Sequence, residues 1–521
     1  MTLAVLKSCA IAGMHAPEVR VEVHVAPGLP AFNIVGLPGT GVKESRERVR
    51  SALSNCGYQF PAGRLTANLS PADLPKDSGR FDLPIALGVL LASGQIIMPP
   101  EQAADRLSRT VFAGELSLTG TLMPVAAPLV IGLSVYRQKI KDAVLVLPKE
   151  NAAVAAHIQG LNVLGAKTLK EVADFLAGDA HPEYEIAREM SCKETEDYPC
   201  LSDVKGQAMA CRALEIAASG GHGLLMSGSP GVGKSMLAQR LPGLLPPLSS
   251  EQLLEVTAVQ SLSQREVHMS MQRPFRAPHH SASMVSLIGG GAQPKPGEIS
   301  MAHHGVLFLD ELPEFDRKAL ESLREPMEKG EICITRSSCS VVYPAQCQLI
   351  SAMNPCPCGY LGHASKPCVC TPEKINRYQG KLSGPLLDRI DMQITVHPFR
   401  GNWDTAQAAE PSVVVKKRVA HCRHAQQDRQ GKLNAHLDAA DIGRYCLLDS
   451  ACSQLIQQAC QRFSWSVRVM HRVLRVALPL PTWQAKMKLI WSRFRKPSAI
   501  ASKWINSAKS LFVLSFGCVW P

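Results

Sequence analysis

The chain has 521 residues, enough for two or three domains, and 46% of them are apolar, enough for substantial cores. Its 56 Lys and Arg against 44 Asp and Glu leave a net charge of +12, which suits an anionic partner such as nucleic acid and is also ordinary for a soluble protein. The 17 cysteines are spread through long segments, which excludes a small disulfide-stapled secreted scaffold; no run of about 18 apolar residues offers a membrane span, and MTLAVLKSCAIAGM lacks the ordered parts of a signal peptide. A cytoplasmic protein with no membrane partner is expected.

Residues 1–175 read as a separate α+β domain. Val19 to Val25 alternates as a half-buried strand, Val42 to Leu53 has helical spacing, and Gly114 to Gly120 and Ala143 to Pro148 read as further strands. PKDSGRFDLPIALGVLLASG at 75–94 and LVLPKENAAVAA at 145–156 resemble the proteolytic domain of Lon-type proteases, a ribosomal protein S5 domain 2-like fold. A Lon-like site needs a Ser nucleophile after the PKD segment and a Lys in the helix after the GEL strand. Arg80, Phe81 and Asp82 stand in the first region and PVAAPLVIGL at 124–133 has no Lys, so a non-proteolytic relative is expected, with Ser78 and Lys76 the only candidates for a rebuilt dyad. Residues 176–199, with His181-Pro182-Glu183 and Lys193 to Asp197, are polar and aperiodic, as in a linker.

Residues 200–397 carry the chemistry. Leu201 to Gln207 lead into a helix over Ala208 to Ala218, and Leu224-Leu225-Met226 reads as a buried strand. Gly228, Ser229, Pro230, Gly231, Val232, Gly233, Lys234 and Ser235 follow with the spacing of a phosphate-binding P-loop. Its backbone N–H groups wrap a polyphosphate, Lys234 bridges the β- and γ-phosphates, and Ser235 holds Mg²⁺ at a helix N-terminus, so ATP and Mg²⁺ are the expected cofactors. About 75 residues on, Val306 to Leu309 ends in Asp310 and Glu311, which either hold the Mg²⁺ and polarise the attacking water or cap a helix beginning near Glu314. Gln348 to Met353 is another buried strand with Asn354 at its tip, there to orient that water or simply to end the strand before Pro355.

Between these strands the Gly- and Pro-rich stretch 274–300 carries Arg276, His279, His280 and Lys295, either a DNA-facing pore loop or a surface hairpin. Cys356-Pro357-Cys358 and Cys368-Val369-Cys370 offer four thiolates at a spacing able to close a structural zinc site, with unliganded reduced thiols as the alternative. Arg389, in SGPLLDRIDMQITV, is placed for insertion into a neighbouring subunit's site, or else for a local pair with Asp388 or Asp391. Residues 398–477 read as a helical lid: a basic helix around Lys416 to Arg429, then Asp438 to Cys446, Ser450 to Phe463 and Ser466 to Ala477, with Arg468 placed to reach the γ-phosphate.

GSPGVGKS, VLFLDELPEFDRKALESLREPMEKG, SAMNPCPCGY and SGPLLDRID together resemble the ComM/YifB family of magnesium-chelatase-like AAA+ ATPases, over roughly residues 1–477. The resemblance implies an α/β P-loop core with a helical lid behind a Lon-like domain, in a homo-hexameric ATPase that moves along DNA. ComM members resemble branch-migration helicases of natural transformation and homologous recombination. It carries Lys234, Ser235, Asp310, Glu311, Asn354, Arg389 and Arg468 over as the ATPase set. The alternative is an AAA+ regulatory or chaperone-like ATPase acting on protein partners. Residues 478–521 leave the family pattern: LPLPTWQAKMKLIWSRFRKPSAIASKW stands where members have a polar, acidic helical ending. In the frame shifted by one base, Trp483-Gln484 must encode Ala and Met487-Lys488 must encode Glu, and permitted codons give TIADLAGKDEIDLVAISEALSYRK, close to that ending. An out-of-frame tail and impaired activity are expected, against a lineage-specific extension.

Overall fold

A computed structural model describes residues 3–478 of the chain, apart from 38, 75, 77, 180–183, 187–197, 264–268, 292–293, 337–339, 364, 400–407 and 449. Most of the expected linker, and the tail beyond Leu478, lie outside the described residues. The chain forms two compact units: residues 1–192, 250–269 and 333–343 make one, and 193–249, 270–332 and 344–521 the other. The expected contiguous core over 200–397 is therefore interrupted, with two of its segments clustering with the N-terminal residues.

The first unit is built on a mixed seven-stranded sheet. Its strands are β1 (Leu3–Cys9), β2 (Glu18–Ala26), β3 (Ala31–Val35), β4 (Arg64–Ser70), β5 (Thr110–Phe112), β6 (Val144–Pro148) and β7 (Asn162–Ala166), in the order β3-β4-β2-β1-β5-β6-β7. Alternation sets the inner face: Val19, Val21 and Val23 of β2 are fully buried while Arg20 and His24 face out. Helix α1 (Ser45–Asn55) and helix α2 (Asp82–Ala92) cover that face, and α2 is buried along its whole length, as its nearly all-apolar sequence requires. The opposite face receives α3 (Pro128–Arg137), whose Leu129, Val130 and Ile131 share a core with Ala258, Leu254 and Leu262 from the 250–269 segment. The expected strand over Gly114–Gly120 shrinks to Glu115–Leu116, paired with Leu122–Met123. The Leu116 N–H goes instead to the buried Asp82 carboxylate, and Ser117 begins a turn closed on Thr121.

The second unit holds a wholly parallel sheet of β8 (Leu224–Ser227), β9 (Phe275–Arg276), β10 (Val306–Leu309), β11 (Gln348–Met353) and β12 (Met392–Thr395), in the order β9-β10-β11-β8-β12. Successive residues of one strand go to opposite cores: Leu224, Met226, Val306, Phe308, Ile350 and Ala352 to one, Leu225, Leu307, Leu309, Leu349 and Met353 to the other. That two-sided burial is why these strands read as continuous apolar runs. The first core is covered by α4 (Ala208–Gly220) and α5 (Lys234–Leu244), with Val415 and Val419 of a later helix packed onto them; α6 (Ser250–Ser261) belongs to the first unit. Helix α7 spans Ser412–Gln430 and is followed by α8 (Ala439–Tyr445), α9 (Ser450–Phe463) and α10 (Val467–Ala477), which share a small core of Leu437, Ile442, Cys446, Ile456 and Leu474. Asp438 closes a capping box on α8 and Ser466 caps α10. Among the described residues no helix is long and apolar enough to cross a membrane.

Candidate active site

Three neighbouring parallel strands, β10, β11 and β8, deliver their C-terminal ends to one crevice, the usual ligand position in an open α/β sheet. The loop after β8 turns sharply into α5. A Cβ on Gly228 would lie 2.4 Å from the Val396 carbonyl oxygen, and Gly233 caps α5 in the left-handed region at φ +91°. Residues with side chains are poorly tolerated at both points.

Lys234 opens α5 with its ammonium largely buried. It donates to the carbonyls of Gly228 at 2.7 Å and Ser229 at 3.0 Å, and to Asn354 Oδ1 at 3.1 Å. Burial pulls its pKa below the ordinary lysine value, an effect opposed by Asp310 and Glu311. Ser235 Oγ donates to Asp310 Oδ2 at 2.5 Å, so the hydroxyl and carboxylate expected to share a Mg²⁺ already lie side by side. Glu311 stands next to Asp310 at φ +51°, a left-handed conformation that costs a non-glycine residue roughly 1–3 kcal/mol. Its half-exposed carboxylate has His280 Nδ1 at 3.3 Å. The cavity here measures about 350 Å³ and is lined by Pro230, Gly231, Gly233, Lys234, Ser235, Met236, Asp310, Glu311, Met353 and Asn354. A cavity lined by a helix N-terminus, a lysine and two carboxylates is chemically suited to a metal-bound polyphosphate.

Of the loop residues singled out in the sequence, Gly228 and Ser229 act through their carbonyls and Val232 packs against the adjoining core. Met236 and Met353 were not foreseen; each is one residue from a foreseen polar group. Arg389 and Arg468 do not line the cavity. The guanidinium of Arg389 is held by Glu328 and by the Pro385 carbonyl, at 2.8 Å for the latter. Arg468 is exposed at the start of α10, and its charge, after the hydrogen bond and charge of Arg389, helps hold the Glu328 carboxyl below its ordinary range. The duller partners weighed for Arg389 are taken by others: Asp388 accepts from Arg472 at 3.1 Å, and Asp391 pairs with His222 at 2.9 Å. Within the 274–300 stretch Arg276 is engaged by Glu298 at 2.7 and 2.9 Å, which leaves His279 and Lys295 as its exposed basic side chains among the described residues.

Two further sets stood out in the sequence. Sγ of Cys356 lies 3.4 Å from that of Cys358 and 3.6 Å from that of Cys368, and with Cys370 the four ligand atoms fall within 4.8 Å of one another, a donor set that fits one tetrahedral zinc. The rebuilt dyad does not form. Lys76 is buried and donates to the carbonyls of Gly36, Pro71 and Leu74, while Ser78 Oγ accepts from Arg80 Nε at 2.5 Å. The lysine is spent on carbonyls and the hydroxyl on a guanidinium, so the two do not form a nucleophile–base pair.

Three family descriptions match the chain: "Magnesium chelatase, subunit ChlI" over residues 200–402, "Subunit ChlI of Mg-chelatase" over 21–151, and "Magnesium chelatase, subunit ChlI C-terminal" over 409–480. The chain is 45% identical over 500 residues to the competence protein ComM of Haemophilus influenzae, covering 94% of this chain and 95% of that one. It is 45% identical over 483 residues to YifB of Salmonella typhimurium, covering 92% of each, and 40% identical over 490 residues to Rv2897c of Mycobacterium tuberculosis, covering 92% and 95%. Identity of this extent, over almost the whole of both chains, places this chain in the ComM/YifB family of magnesium-chelatase-like AAA+ proteins.

Proposed function

We propose that the protein hydrolyses ATP in a homo-hexameric ring and couples the cycle to movement along single-stranded or branched DNA, as a branch-migration helicase serving natural transformation or homologous recombination in the cytoplasm. The observation that carries this reading is a pocket complete in everything but its arginines. Lys234, Ser235, Asp310, Glu311 and Asn354 converge on one cavity, while Arg389 rests on Glu328 and neither it nor Arg468 lines that cavity. Two arginines kept off their own subunit's site suit a ring in which each protomer completes its neighbour's pocket.

In this reading the loop N–H groups and Lys234 bind the β- and γ-phosphates, and Ser235 and Asp310 hold the metal. Mg²⁺, when bound there, neutralises charge developing on the phosphoryl oxygens. Glu311 accepts a proton from the attacking water as the bond from the γ-phosphorus to the leaving oxygen breaks, and Asn354 orients that water. The C-terminal helices act as the lid, and the N-terminal unit is a non-proteolytic Lon-like domain. Support for DNA comes from exposed His279 and Lys295 and from the name of the Haemophilus relative. The test is ATP turnover measured with single-stranded, duplex and branched DNA. Stimulation by DNA that vanishes in Lys234→Ala supports the reading; turnover indifferent to every DNA would point to a protein substrate instead.

A further inference from the structure

Residues 354–371, between β11 and the helix Pro372–Gln379, contain no helix or strand among the described residues, and of their apolar side chains only that of Cys356 is buried, close to the buried Gly359. The segment nevertheless forms part of the nucleotide pocket. It begins with Asn354, whose side chain touches Lys234. It then lays Gly359 on Pro230 of the phosphate-binding loop so closely that a Cβ there would fall 2.5 Å from Pro230 Cδ, at φ +82°. Only glycine permits that approach. On the other side the segment is tied by Gln379 Nε2, which donates to the Pro355 carbonyl at 2.9 Å.

An irregular loop with so little apolar burial needs another source of order, and the four sulfurs supply it. They are free thiols in mutual contact, with Sγ separations of 3.4, 3.6 and 3.6 Å among Cys356, Cys358 and Cys368. A tetrahedron of thiolates around zinc, with Zn–S bonds of about 2.3 Å, has edges of about 3.8 Å, so closing on one ion moves these sulfurs by only a few tenths of an ångström. An iron–sulfur cluster, with several irons between its ligands, would need cysteine sulfurs much farther apart.

We propose that Cys356, Cys358, Cys368 and Cys370 bind one Zn²⁺, and that the metal holds Gly359 and Asn354 against the phosphate-binding loop, so that nucleotide affinity depends on the metal. The proposal rests on the assignment of the pocket to ATP. The metal is structural: with four cysteine ligands it has no open position for chemistry. Its effect reaches the nucleotide through Gly359, which packs on Pro230 and holds the phosphate-binding loop in shape.

The test uses the full-length protein, with zinc and iron measured by elemental analysis and nucleotide affinity by titration with a fluorescent ATP analogue. Wild type should carry one zinc per chain. Cys368→Ser combined with Cys370→Ser should lose the zinc and bind the analogue about tenfold more weakly, the loss expected when one N–H of the displaced phosphate-binding loop no longer donates to a phosphate. Gly359→Ala should keep the zinc and also weaken binding, which separates the contact from the metal; Cys333→Ser should change neither. Stripping wild type with a chelator and restoring zinc should lower and then recover affinity, which covers a double variant that fails to fold. Protein that carries no zinc, or carries iron in its place, overturns the proposal, as does affinity that ignores zinc removal. Zinc-loaded wild type that binds no nucleotide would sink the ATP assignment, and the coupling with it, while the metal stoichiometry would stand as a separate result.

Discussion

If Arg389 works in a neighbour's site, two inactive variants should repair each other. Lys234→Ala removes the phosphate-binding ammonium, and Arg389→Ala removes the guanidinium that now rests on Glu328. An arginine supplied in trans is worth about 10³–10⁵ in kcat, or about 4–7 kcal/mol, so either protein alone should be nearly silent. The resting pair opposes delivery only weakly. The Glu328 side chain is 66% exposed, and a pair of that kind is worth about 1 kcal/mol or less. In a head-to-tail ring assembled from equal amounts of the two variants, about a quarter of the interfaces unite an intact Lys234 with a neighbour's intact Arg389. Turnover in the mixture should therefore rise to about a quarter of wild type, read by phosphate release after co-assembly. Mixed rings, shown by pull-down of differently tagged chains, that stay as silent as the separate variants would refute the reasoning, as would Arg389→Ala with wild-type turnover. The same mixture made with Arg468→Ala decides whether that arginine also serves its neighbour.

Glu311→Gln should retain the ATP analogue while turnover falls by about 10²–10⁴, since the amide keeps the contact but cannot take the proton; loss of binding in equal measure would make Glu311 a structural group. Asp391→Ala should lower stability by about 1–3 kcal/mol at neutral pH, because buried His222 loses its hydrogen-bond partner. Burial alone would raise the Asp391 carboxyl, but the hydrogen bond from His222, with Arg475 and Arg472 beyond it, holds it below the ordinary 3.8. Its contribution is thus complete above pH 3.8 and lost as pH falls through the depressed folded value, so the gap in melting temperature between wild type and variant should close only in that acid range. A gap unchanged by acid would mean the pair does not titrate as described. Resequencing across codons 475–480 should reveal a one-base slip, and restoring the frame should raise turnover; an unbroken frame would make residues 478–521 a true extension.

The parts of the fold visible in the sequence are those fixed by local pattern. Strands buried on both faces had to be continuous apolar runs, as in Val306–Leu309 and Gln348–Met353, and the caps at Asp438 and Ser466 marked α8 and α10. Pairings across long separations left no such trace. Ser250–Ser261 lies between strands of the nucleotide sheet, yet Ala258 joins a core with Leu129 and Ile131, and a small residue in a short helix does not announce its neighbours. The helix expected over Val42–Leu53 is broken at Glu44 into Thr40–Lys43 and Ser45–Asn55, a break the periodicity does not reveal. In the site, spacing was enough to find Lys234, Ser235, Asp310 and Asn354, since each ends a strand or begins a helix. The partner of Arg389 was not legible, because Glu328 is one of several acids on helices 61 residues away or nearer.

The contacts of Lys234 also suggest why the site has an asparagine at all. An ammonium has three protons, and here all three are used, on the Gly228 and Ser229 carbonyls and on Asn354. A phosphate entering the loop must displace one of them. The two carbonyls are fixed in a backbone that turns tightly between β8 and α5, whereas the Asn354 amide can swing by rotating its side chain. Asn354 is therefore the partner that yields. Once released, it stands at the end of β11, beside the β10 end that carries Glu311, with a free amide and no longer a ligand of the lysine. In the proposed cycle, the arrival of the phosphate is itself the event that frees the group needed to position water, which keeps an empty pocket from assembling its own catalytic set.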